Sequence, residues 1–219
     1  MRKFLFLISL ILLINTANAQ VFSFSEMTDD AQIEHRIFID NNYLIETQFI
    51  VDPPQFISTR GGFYQINENT YTVLFEFNSN FEQDGLKEIS LTKNADWKSL
   101  SKEIQPLDGK WLMAGRVSDE GVRRRDITRP RKTMKFLKDG HFQWTAFNTE
   151  TFQFFGSGGG TYTAENGKYT ETIQYFSRDN SKTGISLSFE FDQKEKDWFH
   201  KGFSSKGDPM HEVWTQREN

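Results

Sequence analysis

The chain has 219 residues, of which 37% are hydrophobic, 15% aromatic and 26% charged, a composition that is typical of folded globular proteins and excludes disordered and collagen-like chains. It contains no cysteine, which excludes disulfide bonds and a thiol-linked lipid anchor. The formal net charge of −4 at pH 7 argues against bulk binding of nucleic acid.

Residues 1–19 have the pattern of a secretory signal peptide. Arg2 and Lys3 form a basic start, residues 4–14 form an apolar run, and residues 17–19 read Ala-Asn-Ala, a small-residue cleavage site. The run is too short to span roughly 30 Å of hydrocarbon as a helix, and a retained membrane anchor is the alternative. We expect cleavage before Gln20 and export to the periplasm or the extracellular space.

An internal repeat divides the remaining chain into two units. A shift of 98 positions aligns residues 38–78 with residues 136–176 without a gap and gives ten identities. Residues 20–105 hold 6 Lys and Arg against 14 Asp and Glu, whereas residues 106–219 hold 18 against 16. The identical residues are Phe38, Thr47, Phe49, Gln55, Phe56, Gly61, Gly62, Tyr64, Tyr71 and Thr72, each of which recurs 98 positions later.

The hydrophobic period within each repeat is two, which predicts half-buried strands. Asp-Gly or Asn-Gly pairs at residues 84–85, 139–140 and 166–167 predict tight hairpin turns. In the second repeat the pattern predicts eight strands, at about 109–117, 132–138, 141–148, 153–164, 168–177, 184–192, 197–204 and 210–217. Helix is expected only in short connections. Eight such strands can remove their edges by closing into an antiparallel up-and-down barrel.

The first repeat is shorter, because only residues 21–27 are available for its opening strand and its closing strand is missing or shared. The sequence therefore predicts an all-β, internally duplicated protein with three parts. Residues 1–19 are the signal peptide, residues 20–105 a truncated repeat packed on the barrel, and residues 106–219 the complete eight-stranded barrel.

Two segments of the second repeat resemble a known family. They are Leu107-Asp108-Gly109-Lys110-Trp111, and Gly158-Gly159-Gly160-Thr161-Tyr162 followed by Tyr169-Thr170-Glu171. These segments resemble lipocalin-like, or calycin, domains, and the whole chain resembles secreted bacterial proteins with two lipocalin-like copies. The resemblance covers residues 107–218 closely and residues 20–105 loosely. It implies a meander β-barrel with a ligand in its mouth, and it supplies no catalytic residues.

Comparison of the two repeats predicts which side chains face the barrel interior. The third and fifth strands share one face between the repeats, and we expect that face to point inward. We predict that the ligand site includes His141, Gln143, Tyr162, Tyr169, Glu171 and Tyr175. Glu171 replaces Val73 on an otherwise apolar strand face. A buried lone carboxylate is costly, so Glu171 should find a cation, hydrogen bonds or a ligand. Three interpretations of Glu171 stay open. It pairs with a neighbouring Arg or Tyr for structure only, it contacts a ligand, or it faces away from the interior.

A basic segment connects the first two predicted barrel strands. It comprises Arg123, Arg124, Arg125, Arg129, Arg131 and Lys132, with Asp126 as its one acid. The family resemblance implies that this connection folds over the barrel mouth, where Arg side chains would bind a carboxylate, phosphate or sulfate group. A solvated loop that balances the acidic first repeat is the alternative. Net charge and export disfavour nucleic acid.

No motif fixes an enzymatic activity. His141, His200 and His211 lack the close spacing of a zinc site, so we expect no metal and no cofactor. Residues 156–160, Gly-Ser-Gly-Gly-Gly, lack the Lys-Ser/Thr ending of a phosphate-binding loop and predict a bulge or sharp bend in a strand. No G-x-S-x-G motif with a placed base supports a hydrolase.

The sequence therefore predicts an exported, non-catalytic protein whose second barrel binds a small amphipathic or anionic ligand. Two alternatives belong to other classes. An envelope module with a filled barrel would bind glycan or protein through its surface, and an enzyme would hold Glu171 near a histidine in a cavity. No membrane span is expected in the mature chain, and the oligomeric state stays open.

Overall fold

The computed structural model describes residues 20–100 and 103–218. The predicted signal peptide, residues 1–19, lies outside this range. In the described ranges nearly all regular structure is β-strand, and helix is confined to α1 (Phe81–Asp84) and a single 3-10 turn at Asn180–Lys182. No helix in these ranges has the length and hydropathy that crossing a membrane requires.

The first half of the described chain forms an open antiparallel sheet of seven strands. Its order is β6-β5-β4-β3-β2-β1-β7, and in the described residues no pairing joins the two edge strands. The strands are β1 (Gln20–Met27), β2 (Gln32–Ile39), β3 (Tyr43–Ile50), β4 (Gln55–Asn67), β5 (Thr70–Asn78), β6 (Glu88–Thr92) and β7 (Lys98–Ser99). The expected opening strand is β1, and the two-residue β7 pairs with it where a closing strand would stand.

The second half forms a closed antiparallel barrel of eight strands. The order is β10-β11-β12-β13-β14-β15-β16-β8, and pairing of β8 with β10 closes the ring. Its strands are β8 (Gly109–Ser118), β10 (Arg131–Lys138), β11 (His141–Asn148), β12 (Phe154–Glu165), β13 (Lys168–Phe176), β14 (Ser186–Lys194), β15 (Asp197–Phe203) and β16 (Pro209–Gln216). The predicted all-β barrel fold, which is lipocalin-like, is confirmed. The predicted connection between the first two barrel strands also contains an unexpected strand, β9 (Gly121–Arg124), which pairs with β8.

Local sequence explains two of the tight turns. At Asp139-Gly140 and Asn166-Gly167 both residues of the turn have positive φ, between 50° and 76°. This is the conformation of a two-residue hairpin turn whose twist matches the flanking strands, and Asp, Asn and Gly adopt it at the lowest steric cost. These pairs therefore set the register of β10 against β11 and of β12 against β13.

The predicted bend in the glycine-rich strand is a bulge. The pairing of β12 with β13 shifts between Gly159 and Gly160, and the pairing of β4 with β5 shifts at Gly61 and Gly62. A Cβ on Gly160 would lie 2.0 Å from the carbonyl oxygen of Thr172, so a side chain does not fit at this close approach of two backbones.

The open sheet packs against the outside of the barrel through aromatic side chains. Phe38 contacts Phe136 with ring centroids 5.4 Å apart, and Phe49 contacts Tyr175 at 4.7 Å. Gln143 joins the two sheets, since its Oε1 accepts hydrogen bonds from the hydroxyls of Thr47 at 2.7 Å and Tyr175 at 2.9 Å.

The predicted inward facing of three residues is therefore wrong. Gln143 and Tyr175 lie on the outer face of the barrel, and His141 shares the face of Gln143 because it lies two residues earlier on β11. The physical reason is that the shared face of the third strand, which carries Thr47, Phe49 and Phe147, lies in the contact between the sheets. In addition, the bulge reverses the facing of β13 after Ile173, so Tyr175 points away from the interior that Glu171 faces.

Candidate functional site

One half of the barrel interior is filled by side chains. Leu107, Tyr162 and Tyr169 belong to a buried cluster that also contains three tryptophans. The indole of Trp111 contacts that of Trp198 with ring centroids 5.8 Å apart, and both side chains are almost fully buried. This cluster closes the end of the barrel where β8 begins.

The other half of the interior is a cavity of about 700 Å³. This volume lies within the usual range for small-molecule sites, about 300–1,000 Å³. Its lining residues come from the opposite halves of the same strands and from the connections at residues 178–182 and 204–208, so the cavity opens at that end. The apolar lining consists of Met113, Trp144, Ala146, Ile173, Phe176, Leu187, Phe189, Met210 and Trp214.

The charged lining is predominantly cationic. Seven cationic side chains face four acidic ones, namely Arg116, Arg125, Arg131, Lys135, Arg178, Lys182 and Lys206 against Glu171, Asp179, Asp208 and Glu212. Lys135, Glu171 and Glu212 are buried, whereas the other eight lie nearer to solvent at the rim. The rim therefore carries six cations and two acids.

Three guanidinium groups lie together on the rim. Arg131 stacks over the ring of Phe155 at 3.5 Å from its centroid, and Arg178 donates two hydrogen bonds to the carbonyl of Phe155 at 2.8 and 3.1 Å. Burial, followed by the charges of Arg125 and Arg178, lowers the pKa of Arg131 below its ordinary value. Within the described ranges none of these three pairs with a carboxylate, unlike Arg116, which pairs with Glu212. An anion would relieve their mutual repulsion.

Lys135 lies at the bottom of the cavity and is only 4% exposed. Its Nζ donates a hydrogen bond to Oε2 of Glu171 at 3.1 Å, and the hydroxyl of Tyr169 donates to the same oxygen at 3.0 Å. Burial and the neighbouring carboxylate of Glu171 raise the pKa of Tyr169 well above its ordinary value, so its hydroxyl stays a donor. Nζ also lies 5.0–6.0 Å from the ring centroids of Phe142, Tyr169, Phe189, Trp198 and Trp214.

His200 lies beside this ion pair and is 1% exposed. Both of its ring nitrogens lack a hydrogen-bond partner in the described part of the chain. Oε2 of Glu212 is 3.9 Å from Nδ1, which is too far for a hydrogen bond, and this oxygen accepts the indole N–H of Trp214 at 3.2 Å. Burial and the charge of Lys135 lower the pKa of His200 to about 4, so the ring is neutral at physiological pH.

Comparison with known proteins assigns the barrel to a family. Residues 106–218 match the model of a domain of unknown function, DUF4488, and thus 113 of the 219 residues are matched. The chain belongs to the DUF4488 family. The match contains all eight barrel strands and every residue that lines the cavity. No curated protein matches the chain.

The DUF4488 domain brings together only part of the predicted ligand site. Glu171, Arg125 and Arg131 line the cavity. Tyr162 and Tyr169 face inward but belong to the packed cluster beneath the cavity.

The remaining predicted residues lie elsewhere. Gln143 and Tyr175 face the first sheet, and His141 lies on the same outer face of the barrel. The other three arginines are exposed and do not line the cavity: Arg123 is on β9, Arg124 pairs with Asp197, and Arg129 pairs with Asp126.

Sequence reasoning missed several residues of the DUF4488 cavity. Lys135 belongs to β10, where inward positions alternate with Met134 and Phe136 of the sheet contact. The sequence predicts a strand at 132–138 that contains Lys135, but it does not show which face of that strand points inward. Arg178 and Lys206 were not singled out because each lies in a connection that only the closed barrel brings to the rim. The described residues hold no group of three or more His, Asp or Glu side chains placed to bind a metal ion.

Proposed function

We propose that this protein is an exported, two-copy lipocalin-like protein that binds a small anionic amphiphile in its barrel without changing it chemically. The observation that carries the proposal is the division of the cavity into apolar walls and a cationic rim. The apolar body of the ligand would lie against Trp144, Phe176 and Leu187, and its anionic group would lie at the rim near Arg131 and Arg178.

Charge and geometry support an anion at the rim over a neutral headgroup. The charges of Arg125 and Arg178 both act on Arg131, and none of the three has a carboxylate partner in the described ranges. Guanidinium groups donate several hydrogen bonds from a fixed plane, which suits carboxylate, sulfate and phosphate groups. A purely apolar ligand would leave the three guanidinium groups without an anion to bind.

The proposal is tested by titrating the purified mature protein with dodecanoate and with dodecanol, which share one alkyl chain and differ in headgroup. Dodecanoate is expected to bind at least about tenfold more tightly than dodecanol, and added salt should weaken its binding. Extraction after binding should return the probe unchanged. Equal affinities would contradict an anion-selective rim, and failure of both probes to bind would contradict a cavity for amphiphiles of this class.

Two matched double variants locate the anion. Arg131→Gln/Arg178→Gln removes two guanidinium groups from the rim, and Arg123→Gln/Arg129→Gln removes two exposed ones that do not line the cavity. Both change the net charge equally. Loss of the preference for dodecanoate in the first variant alone supports the proposal. An equal loss in both variants would mean that general charge, and not the cavity rim, attracts the anion.

Native mass spectrometry of the mature protein from its own host provides an independent test. A bound mass that disappears on denaturation would identify the size of the natural ligand. The mass of the polypeptide beginning at Gln20 would at the same time test the predicted signal cleavage.

A further inference from the structure

The bottom of the cavity is polar although its walls are apolar. Lys135, Glu171, His200 and Glu212 all line it, and their exposed fractions lie between 1% and 8%. An apolar tail reaching this depth would meet a buried ion pair and the edge of a histidine whose two nitrogens lack partners in the described residues. Buried polar groups without partners are rare in folded proteins and call for an explanation, such as a ligand that supplies the missing hydrogen bonds.

The charge at this depth restricts the chemistry of such a ligand. Lys135 carries one positive charge, Glu171 and Glu212 carry two negative charges, and His200 is neutral. The sum is negative, so a second anionic group is disfavoured here. The cation of Lys135 already occupies the space between the five aromatic rings, which disfavours a second cation. A neutral polar group remains.

The hydrogen-bonding groups select among neutral groups. Lys135 Nζ has three N–H donors and Glu171 accepts, while the neutral ring of His200 offers one donor and one acceptor. A hydroxyl both donates and accepts and can therefore pair with either kind of group. A ketone only accepts, and a methyl group does neither.

We infer that the ligand is a hydroxylated anionic amphiphile, with its anion at the arginine rim and a hydroxyl at its buried end beside Lys135, Glu171 and His200. The inference rests on the proposed function and adds the chemistry of the buried end. The two ends of the site lie on one strand face. Arg131 and Lys135 are four residues apart on β10, which corresponds to about 13 Å at roughly 3.3 Å per residue. The anion and the hydroxyl should therefore lie at opposite ends of the ligand.

The experiment compares the affinities of the mature protein for dodecanoate, ω-hydroxydodecanoate and ω-aminododecanoate by calorimetric titration. Shorter and longer ω-hydroxy acids are included, because the best length reports the distance between the two polar ends. The hydroxy acid of the best length is expected to bind at least about tenfold more tightly than the plain acid of that length, since it pairs groups that the methyl end leaves unpaired.

Each outcome has one meaning. Equal or weaker binding of every hydroxy acid relative to its plain acid would overturn the inference while leaving an anionic amphiphile site intact. Tightest binding of ω-aminododecanoate would overturn the inference, because the buried end of the ligand would then be cationic. No binding of any probe would overturn both this inference and the proposed function.

A variant locates the hydroxyl. His200→Phe keeps a flat ring and removes both nitrogens, and it should lower the ratio of the affinity for the hydroxy acid to the affinity for the plain acid. His211→Phe is the matched control, because His211 is on the neighbouring strand β16 and does not line the cavity. If His200→Phe retains the full preference, the hydroxyl does not contact this histidine. Glu171→Gln then tests the ion pair, and a preference retained in both variants would overturn the inference.

Discussion

Lys135 places a positive charge in the barrel interior. Its ammonium group is buried among aromatic rings and is held by the carboxylate of Glu171. A buried ion pair contributes little net stability compared with an apolar pair, but removal of one partner leaves an uncompensated buried charge.

Lys135→Met is therefore expected to lower the free energy of unfolding by about 3 kcal/mol, because Glu171 would remain buried without its cation. Urea unfolding monitored by tryptophan fluorescence provides the measurement. The double variant Lys135→Met/Glu171→Gln should recover most of the loss. A double variant as unstable as the single one would show that the packing of the lysine stem, and not the lone charge, dominates.

His200 gives the protein an acid-sensitive contribution to stability. The folded-state pKa of about 4 lies below the ordinary value of 6.5, so the unfolded chain takes up a proton first as the pH falls. Stability from this group is present above pH 6.5 and is lost as the pH falls towards 4. The charged groups around the ring are Lys135, Glu171 and Glu212.

In His200→Phe the decline in urea midpoint between pH 7 and about pH 4.5 should be smaller than in the unaltered protein. His211→Phe should keep the original decline. A slope that His200→Phe leaves unchanged would mean that the carboxylates around the ring, and not the imidazole, govern this pH range.

At the residue scale the sequence predicted Glu171 in the cavity but not its cationic partner, Lys135. Glu171 stands out because the equivalent position of the first repeat is Val73, whereas Lys135 lies one position before the aligned residues 136–176. A pair that forms across two strands of a closed barrel leaves no spacing signal, because β10 and β13 approach one another only through the interior.

At the scale of strands, the glycine bulges determine which side chains enter the cavity. Gly62 and Gly160 each lie where a Cβ would be about 2 Å from a backbone carbonyl of the neighbouring strand. Since strand facing alternates with period two, the extra residue that the bulge adds to β13 turns Phe176 inward and Tyr175 outward. The sequence indicated a bulge at this block, but an alternation count that ignores the extra residue assigns Tyr175 to the wrong face.

Gly160→Ala is expected to destabilise the protein by about 3 kcal/mol or more, because two backbones must separate to admit the methyl group. Gly85→Ala is the control, since a Cβ there meets nothing within 4 Å and the left-handed backbone costs only about 1 kcal/mol. Thermal unfolding by circular dichroism compares the two. Similar small losses in both variants would contradict a close approach at Gly160.

At the scale of the whole molecule, the contact between sheet and barrel has the pattern of a two-fold interface. Phe49 contacts Tyr175, and Phe77 contacts Phe147. Phe147 is the equivalent of Phe49 and Tyr175 is the equivalent of Phe77, each 98 positions later in the chain. Phe38 meets Phe136, its own equivalent. In such an interface residue i contacts j while j contacts i, as in a symmetric dimer.

This symmetry explains why the prediction for the shared face of the third strand is wrong. The identities on the third strand were expected to mark a common interior, as those at Tyr162 and Tyr169 do. A surface that packs against its own equivalent must be self-complementary. The contact itself therefore explains why Phe136 and Phe147 repeat Phe38 and Phe49. The number of strands and the hairpin turns predicted closure of the barrel. The packing of the two units on one another leaves no periodic signal in the sequence of either unit.

A chain reduced to residues 103–218 is therefore expected to form a homodimer. It would expose Leu112, Met134, Phe136 and Phe147, which are buried in the cluster shared with the first sheet, and a second copy offers the matching surface. Sedimentation velocity over a range of concentrations gives the association state. Phe136→Asp places a charge at the centre of the contact and should shift the reduced chain to monomer. A reduced chain that stays monomeric, or that forms unspecific aggregates which Phe136→Asp does not prevent, would contradict the self-complementary face.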